Sequence, residues 1–401
     1  MIVDLHAHLP MHVRPDAEDA PHLGRRGRRG TRAALRDRRH ASFRDWLRYW
    51  ILELANVLAN YPADTLSPAV TVPQLIEGNV RVALSCLYVP LDEFDPRHFD
   101  GDPPGPDYFH DLMVQYDDVE GEVRAHRGAE VARNPAQLDR IVGEDRVAVV
   151  HCVEGGFLLG STPGQVRESV AKLASLGVAY VTVAHLFYRA LATNVAAIPF
   201  LPDWLYRKLF PQPKTGFTEL GWALVEACAE HGVMIDATHL SEQSMRELFD
   251  WLDRNDRERK VCVFVSHGAA RSEGSKALEY NLQDEWIRRI VERGGLVGLL
   301  LCTHYLTGNA CRGKPRTFED SVALLCRHAR HIHDLTGTWD GIAIGTDLDG
   351  FIKPALPGLE TSAELRKLSD ALKLALGRGP AEAICHGNAL RMLRTGWRGA
   401  S

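Results

Sequence analysis

A chain of 401 residues, 45% hydrophobic and 25% charged, has the balance of an ordinary globular protein and can bury a large core without disulfide staples. A net charge of -5 argues against a general nucleic-acid binder, and no apolar run approaches the ~20 residues that span a bilayer, so neither nucleic acid nor membrane is expected as a partner. Eight cysteines without a CxxC pair, several inside apolar runs such as Val261-Cys262-Val263-Phe264, read as reduced, buried residues and point to the cytoplasm.

The chain opens Met1-Ile2-Val3-Asp4-Leu5-His6, with no basic segment ahead of an apolar one, so no signal peptide is expected. Residues 2–5 form the first of eight short apolar runs; the others are 80–88, 147–153, 179–184, 233–236, 261–266, 296–301 and 342–345. They are apolar throughout rather than alternating, as buried parallel strands are. The clearest helical stretches between them are 217–230, 241–253, 282–291 and 321–335. Eight βα units with no linker predict one domain over 1–401, an α/β fold closed as a (β/α)8 TIM-type barrel.

Two regions break this rhythm. Residues 24–40 are arginine-rich and read as a solvated loop, and the stripe Phe43, Trp46, Leu47, Trp50, Ile51, Leu54, Val57, Leu58 reads as a helix face for the core or for a homodimer contact. Together they predict an inserted helical segment at about 13–70. Residues 190–215, rich in proline and aromatics, predict an irregular segment that shapes a substrate pocket. The C-terminal Trp397-Arg398-Gly399-Ala400-Ser401 carries no apolar anchor.

Polar residues gather where these runs end, which is where barrel enzymes place catalytic groups. His6-Ala7-His8 follows the first run, Glu154 the third, His185 the fourth, His239 the fifth, His267 the sixth and Asp347 the eighth. His6 and His8, two apart on a strand, share a face. Imidazoles suit zinc and similar cations, and the two oxygens of Glu154 can bridge a pair about 3.5–4 Å apart. His239 and His267 can hold the second cation. A hydroxide shared by both would be a strong nucleophile, Asp347 can accept and return its proton, and His185 can donate to an oxyanion. His304 is divided between pocket and packing, His151 reads as structural, and Asp349-Gly350 as shaping the turn after Asp347.

The order and spacing of several stretches resemble the membrane (renal) dipeptidase family of the amidohydrolase superfamily. They are 4–10, 73–90 (PQLIEGNVRVALSCLYVP), 153–156, 235–241 (IDATHLS), 264–270 (FVSHGAA), 344–350 (IGTDLDG) and 387–393 (GNALRML). The resemblance implies dipeptide cleavage with two divalent ions, usually zinc. It implies that His6 and position 8 hold the first ion, Glu154 bridges, His239 and His267 hold the second, His185 contacts the scissile group and Asp347 transfers the proton. Two departures stand out: His8 replaces the family's aspartate, and Tyr280-Asn281 stands where the family has Arg-Asn to grip a terminal carboxylate. Arg271 and Lys276 are the nearby cations that can take over that grip. The expected function is a metal-dependent, dipeptidase-like hydrolase acting on a small molecule. A lactone or phosphoester hydrolase, or a decarboxylase of the same superfamily, is the alternative. A binding protein that holds metal without turnover is the third reading, against which Asp347 and Glu154 argue.

Overall fold

The structure, a computed structural model, describes residues 1–13, 68–94, 107–198, 201–274, 278–308, 314–350 and 355–400. Apart from its ends, the inserted segment at about 13–70 lies outside the described residues, as does Lys276.

The apolar runs become β1 (Ile2–Ala7), β2 (Val80–Leu87), β4 (Val147–Glu154), β5 (Tyr180–Thr182), β6 (Met234–Asp236), β7 (Val263–Gly268), β8 (Val297–Leu299) and β9 (Ile342–Ile344). They pair in parallel in the order β1-β2-β4-β5-β6-β7-β8-β9, and Asp4 on β1 pairs with Ile344 on β9 to close the ring. A ninth strand, β3 (Ala129–Val131), was not expected. It pairs with the first half of β4 through Ala129 and Val147, while β5 takes the second half through Glu154 and Thr182. Three residues with Glu130 in the middle are too short and too polar to register as an apolar run.

Helix boundaries follow the capping side chains. Thr218 and Ser241 accept hydrogen bonds from the backbone N–H groups of Gly221 and Ser244, starting the helices Glu219–His231 and Glu242–Asn255. Thr317 and Asp320 form a reciprocal capping box that starts Phe318–Thr336 three residues earlier than the apolar pattern suggests. The 190–215 segment is not irregular throughout, since it contains the helix Asp203–Leu209. Among the described residues no helix is long and apolar enough to cross a membrane.

One irregularity inside the barrel positions the site. The β7–β8 register shifts between Val265 and Gly268, so the chain bulges at Ser266 and His267. The Ser266 carbonyl then crowds the neighbouring strands: a Cβ at Gly298 or at Gly345 would overlap its oxygen. Only glycine allows that close approach.

Candidate metal centre

Alternation along β1 turns Asp4, His6 and His8 to the barrel interior, and all three are buried. Asp4 accepts hydrogen bonds from the Thr346 N–H at 2.9 Å and the Thr346 hydroxyl at 2.6 Å, tying β1 to the residues after β9. Glu154 ends β4, His267 lies in the bulge of β7, and His239 and Asp347 follow β6 and β9. The last two adopt left-handed φ angles of 67° and 56°, a strained conformation for non-glycine residues that recurs at functional sites.

These side chains meet around Glu154. Its Oε1 lies 3.3 Å from His6 Nε2 and 3.7 Å from both His239 Nε2 and His267 Nε2, while Oε2 lies 3.4 Å from His8 Nε2. Asp347 Oδ1 is 3.1 Å from His8 Nε2, and its Oδ2 is 3.9 Å from His267. The imidazoles also face one another, His6 Nε2 to His8 Nε2 at 3.2 Å and His267 Nε2 to His239 Nε2 at 3.3 Å.

Hydrogen bonds behind the rings fix which nitrogen faces inward. The Tyr180 hydroxyl donates to the Leu5 carbonyl at 2.8 Å, so it accepts from His6 Nδ1 at 2.8 Å. The Ser266 hydroxyl donates to Asp236 at 2.6 Å, so it accepts from His267 Nδ1 at 2.9 Å. With Nδ1 carrying the proton, each ring turns a bare Nε2 lone pair toward Glu154, the tautomer a metal ligand needs. Glu154 Oε1 is buried without a hydrogen-bond partner among the described residues. Converging lone pairs around an unpartnered carboxylate oxygen fit a divalent cation. Burial pulls His6 and His185 down, but the carboxylates around them, Glu154 first, raise them to about 10 and about 9, so the centre favours positive charge, which either a proton or a metal cation at Nε2 supplies.

Asp236 underlies one side of this arrangement. Its carboxylate accepts the hydroxyls of Thr182, Thr238 and Ser266 at 2.6, 2.5 and 2.6 Å, and the N–H groups of Thr238 and Ser266 at 3.0 Å. It thereby locks the chain just before His239 and His267. Its position in IDATHLS gave no hint of this role, because two of its three partners, Thr182 and Ser266, come from other strands, β5 and β7.

His185 is held by a residue that sequence reasoning missed. Its Nδ1 lies 2.5 Å from Glu93 Oε2, which also accepts the Tyr88 hydroxyl at 2.6 Å. Glu93 Oε1 accepts the N–H groups of Leu186 and Phe187. Burial pushes the Glu93 carboxyl up, but His185, Tyr88 and Arg189 hold it below its usual range. Glu93 ends the short helix Pro90–Glu93, and only the fold carries it across 92 positions to His185.

A cavity opens above the centre, lined by His8, Tyr88, Glu154, His185, Leu186, Ala197, His239, Tyr280, Tyr305 and Asp347. The two substrate-contact expectations diverge here. Tyr280 lines the cavity, its ring 4.2 Å from that of Tyr305, and its hydroxyl donates to the His267 carbonyl at 3.0 Å. Arg271 does not line it. Its guanidinium donates to the carbonyls of Asn281 at 2.8 Å and Glu279 at 2.6 Å, gripping the Tyr280 loop from behind. His304 packs beside Tyr305 and is not part of the lining either. His151 lies 3.5 Å from Glu120 and against the Tyr116 ring, a structural place. Asp349 does more than shape its own turn: it accepts the N–H groups of Ala69 at 2.9 Å and Val70 at 2.8 Å, anchoring the chain where it returns to the barrel.

Comparison with known proteins agrees with this geometry. The family model described as membrane dipeptidase (peptidase family M19) matches residues 40–396. Dipeptidase ataJ of Aspergillus terreus is 24% identical over 72% of this chain and 65% of its own length. An uncharacterized dipeptidase of Schizosaccharomyces pombe is 27% identical over 54% of this chain and 44% of its own. The chain thus spans about half the length of the curated relatives it matches. A Rhodobacter sphaeroides metallopeptidase, solved with a phosphinate mimic of the dipeptide L-Ala-D-Ala, superimposes with a TM-score of 0.68 at 20% identity over 99% of both chains, a likeness of fold.

Proposed function

The chain belongs to the membrane dipeptidase family, peptidase family M19, and from that premise we propose that it is a metal-dependent hydrolase that cleaves an amide bond in a small, dipeptide-like molecule. One observation carries the reading: His6, His8, His239 and His267 converge on one buried carboxylate, with His185 and Asp347 facing the same cavity. Two divalent ions, with zinc the first candidate, suit this donor set. His6 and His8 would hold one, His239 and His267 the other, and Glu154 would bridge them. When bound, such ions supply a nucleophile at neutral pH and polarise the scissile carbonyl.

The remaining steps belong to the chain's own groups. His185, held by Glu93, donates from Nε2 to the carbonyl oxygen as negative charge develops there. Asp347 takes a proton at its carboxylate and returns it to the leaving nitrogen. The hydroxyl protons of Tyr88, Tyr280 and Tyr305 are committed to Glu93, the His267 carbonyl and the Ala197 carbonyl. No arginine or lysine is among the described lining residues, so the described part of the wall offers no charged grip for a free α-carboxylate. That favours a substrate neutral at this end, whether an amidated dipeptide or a lactone-like ester. We place the protein in the cytoplasm, a reading supported by seven free thiols among the described residues.

Metal analysis followed by hydrolysis assays tests the proposal, with dipeptides bearing free and amidated C-termini and a lactone panel. Two ions per chain with turnover of the amides is the expected result. Two ions with no turnover of any amide would leave only the ester or metal-binding readings.

A further inference from the structure

Cys86 has the sequence signature of a packing residue, a small side chain inside an apolar strand. In the structure it faces the barrel interior on β2, paired across the sheet with Cys152 on β4. Its Sγ lies 3.8 Å from Glu154 Oε2, and the ligand atoms of His6, His8, Cys86 and Glu154 all lie within 4.8 Å of one another. Ligands of a tetrahedral cation with bonds of about 2.0–2.3 Å stand roughly 3.3–3.8 Å apart. Around one carboxylate oxygen, Glu154 Oε2, the separations are 3.4 Å to His8 Nε2 and 3.8 Å to Cys86 Sγ, and His6 Nε2 stands 3.2 Å from His8 Nε2.

We propose that Cys86 is the fourth protein ligand of the cation held by His6, His8 and Glu154, and that it binds as a thiolate. The proposal rests on the metal-centre reading above. Two neutral imidazoles and a shared carboxylate leave a divalent ion under-compensated in a buried setting, and a thiolate supplies the missing negative charge. On binding, the Cys86 S–H bond breaks, its proton leaves to solvent and a sulfur–metal bond forms, with no change of oxidation state. The competing role for the thiol is a weak S–H hydrogen bond to Glu154 Oε2. The two metal positions would then differ in chemistry. A sulfur ligand biases the His6/His8 position toward zinc, cadmium or cobalt over magnesium or manganese, while the His239/His267 position stays nitrogen- and oxygen-bound.

X-ray absorption at the zinc edge, on full-length protein loaded with zinc under reductant, reads the ligand directly. The expected spectrum contains a sulfur shell at about 2.3 Å beside nitrogen and oxygen at about 2.0–2.1 Å. Cobalt-loaded protein should show an intense near-ultraviolet thiolate-to-cobalt band. Cys86→Ser should lose both signals and Cys152→Ser should keep them. Bound zinc with only nitrogen and oxygen neighbours in the wild type overturns the assignment of Cys86 and leaves the metal centre standing. Failure of the wild type to bind zinc or cobalt overturns both. The wild-type spectrum decides the matter even where a variant does not fold.

Discussion

The floor of the cavity and its wall are built on different plans. Floor groups sit on or just beyond strand ends, and buried hydrogen bonds aim them: Tyr180 behind His6, Ser266 behind His267, Asp236 beneath both His239 and His267. The wall is carried by segments between the strands, Tyr280 in a loop and Tyr305 on the short helix Thr303–Thr307. Tyr280 and Tyr305 come from segments that hold each other through the Asn281 amide, which donates to the Tyr305 carbonyl at 2.8 Å. His328, on the helix Phe318–Thr336, joins the same two segments, accepting from the Ala270 N–H at 3.3 Å and donating to the Leu306 carbonyl at 2.9 Å. The contrast teaches that the groups proposed to carry the reaction are anchored in the barrel, whereas those proposed to choose the substrate rest on the segments that connect its strands.

Asp347→Asn strikes the floor hardest. It keeps the shape and removes the proton carrier, so kcat should fall by about 10²–10⁴ with metal content retained. Near-normal turnover in that variant would take Asp347 out of the mechanism.

The wall should give way first in acid. Burial lowers the pKa of His328 from 6.5 to about 4, so the folded state keeps it neutral while the unfolded chain protonates it near 6.5. The unfolded state therefore binds more protons between these values. The contribution is complete above pH 6.5 and lost as pH falls toward 4, with an upper bound on the order of 3 kcal/mol. Hydrogen exchange across 270–282 and 303–308 should accelerate through that window before the strands respond. Equal acceleration in both regions would erase the distinction between floor and wall.

Asp236→Asn should weaken metal retention by about 10–100-fold, as loss of a supporting partner typically does. Competition with a chelator measures this, and retention equal to wild type would show that the floor does not depend on its hydrogen-bond hub.

The smallest change is on the wall. Tyr280→Arg should restore a charge-assisted pair worth about 1.5–3 kcal/mol and raise kcat/KM for free-carboxylate dipeptides about tenfold over their amides. A wild type that already prefers free carboxylates would place the missing cation elsewhere and end the case for a neutral substrate end.

Legibility in the sequence followed the same division. All eight barrel strands showed as apolar runs, because a strand buried on both faces must be apolar throughout. The side chains that converge on Glu154 were legible as strand-end polar residues because they follow those runs directly. The residues that escaped notice act through partners distant in the chain. Glu93 works through His185, Asp236 through Thr182 and Ser266, and His328 through two loops it meets only after folding. Arg271 erred in the opposite direction. Proximity to Tyr280 in sequence suggested a substrate contact, but its charge is directed to backbone carbonyls instead.

The Ser266 bulge has a bearing on how mutational scans of this chain should be interpreted. Gly298 and Gly345 are not among the cavity-lining residues, yet any side chain at either collides with the Ser266 carbonyl, next in the chain to His267. A survey scored by activity would rank both glycines beside Asp347 as intolerant positions. Scoring abundance in parallel separates them, since the glycine variants should vanish from the folded pool whereas Asp347→Asn should persist as inactive protein.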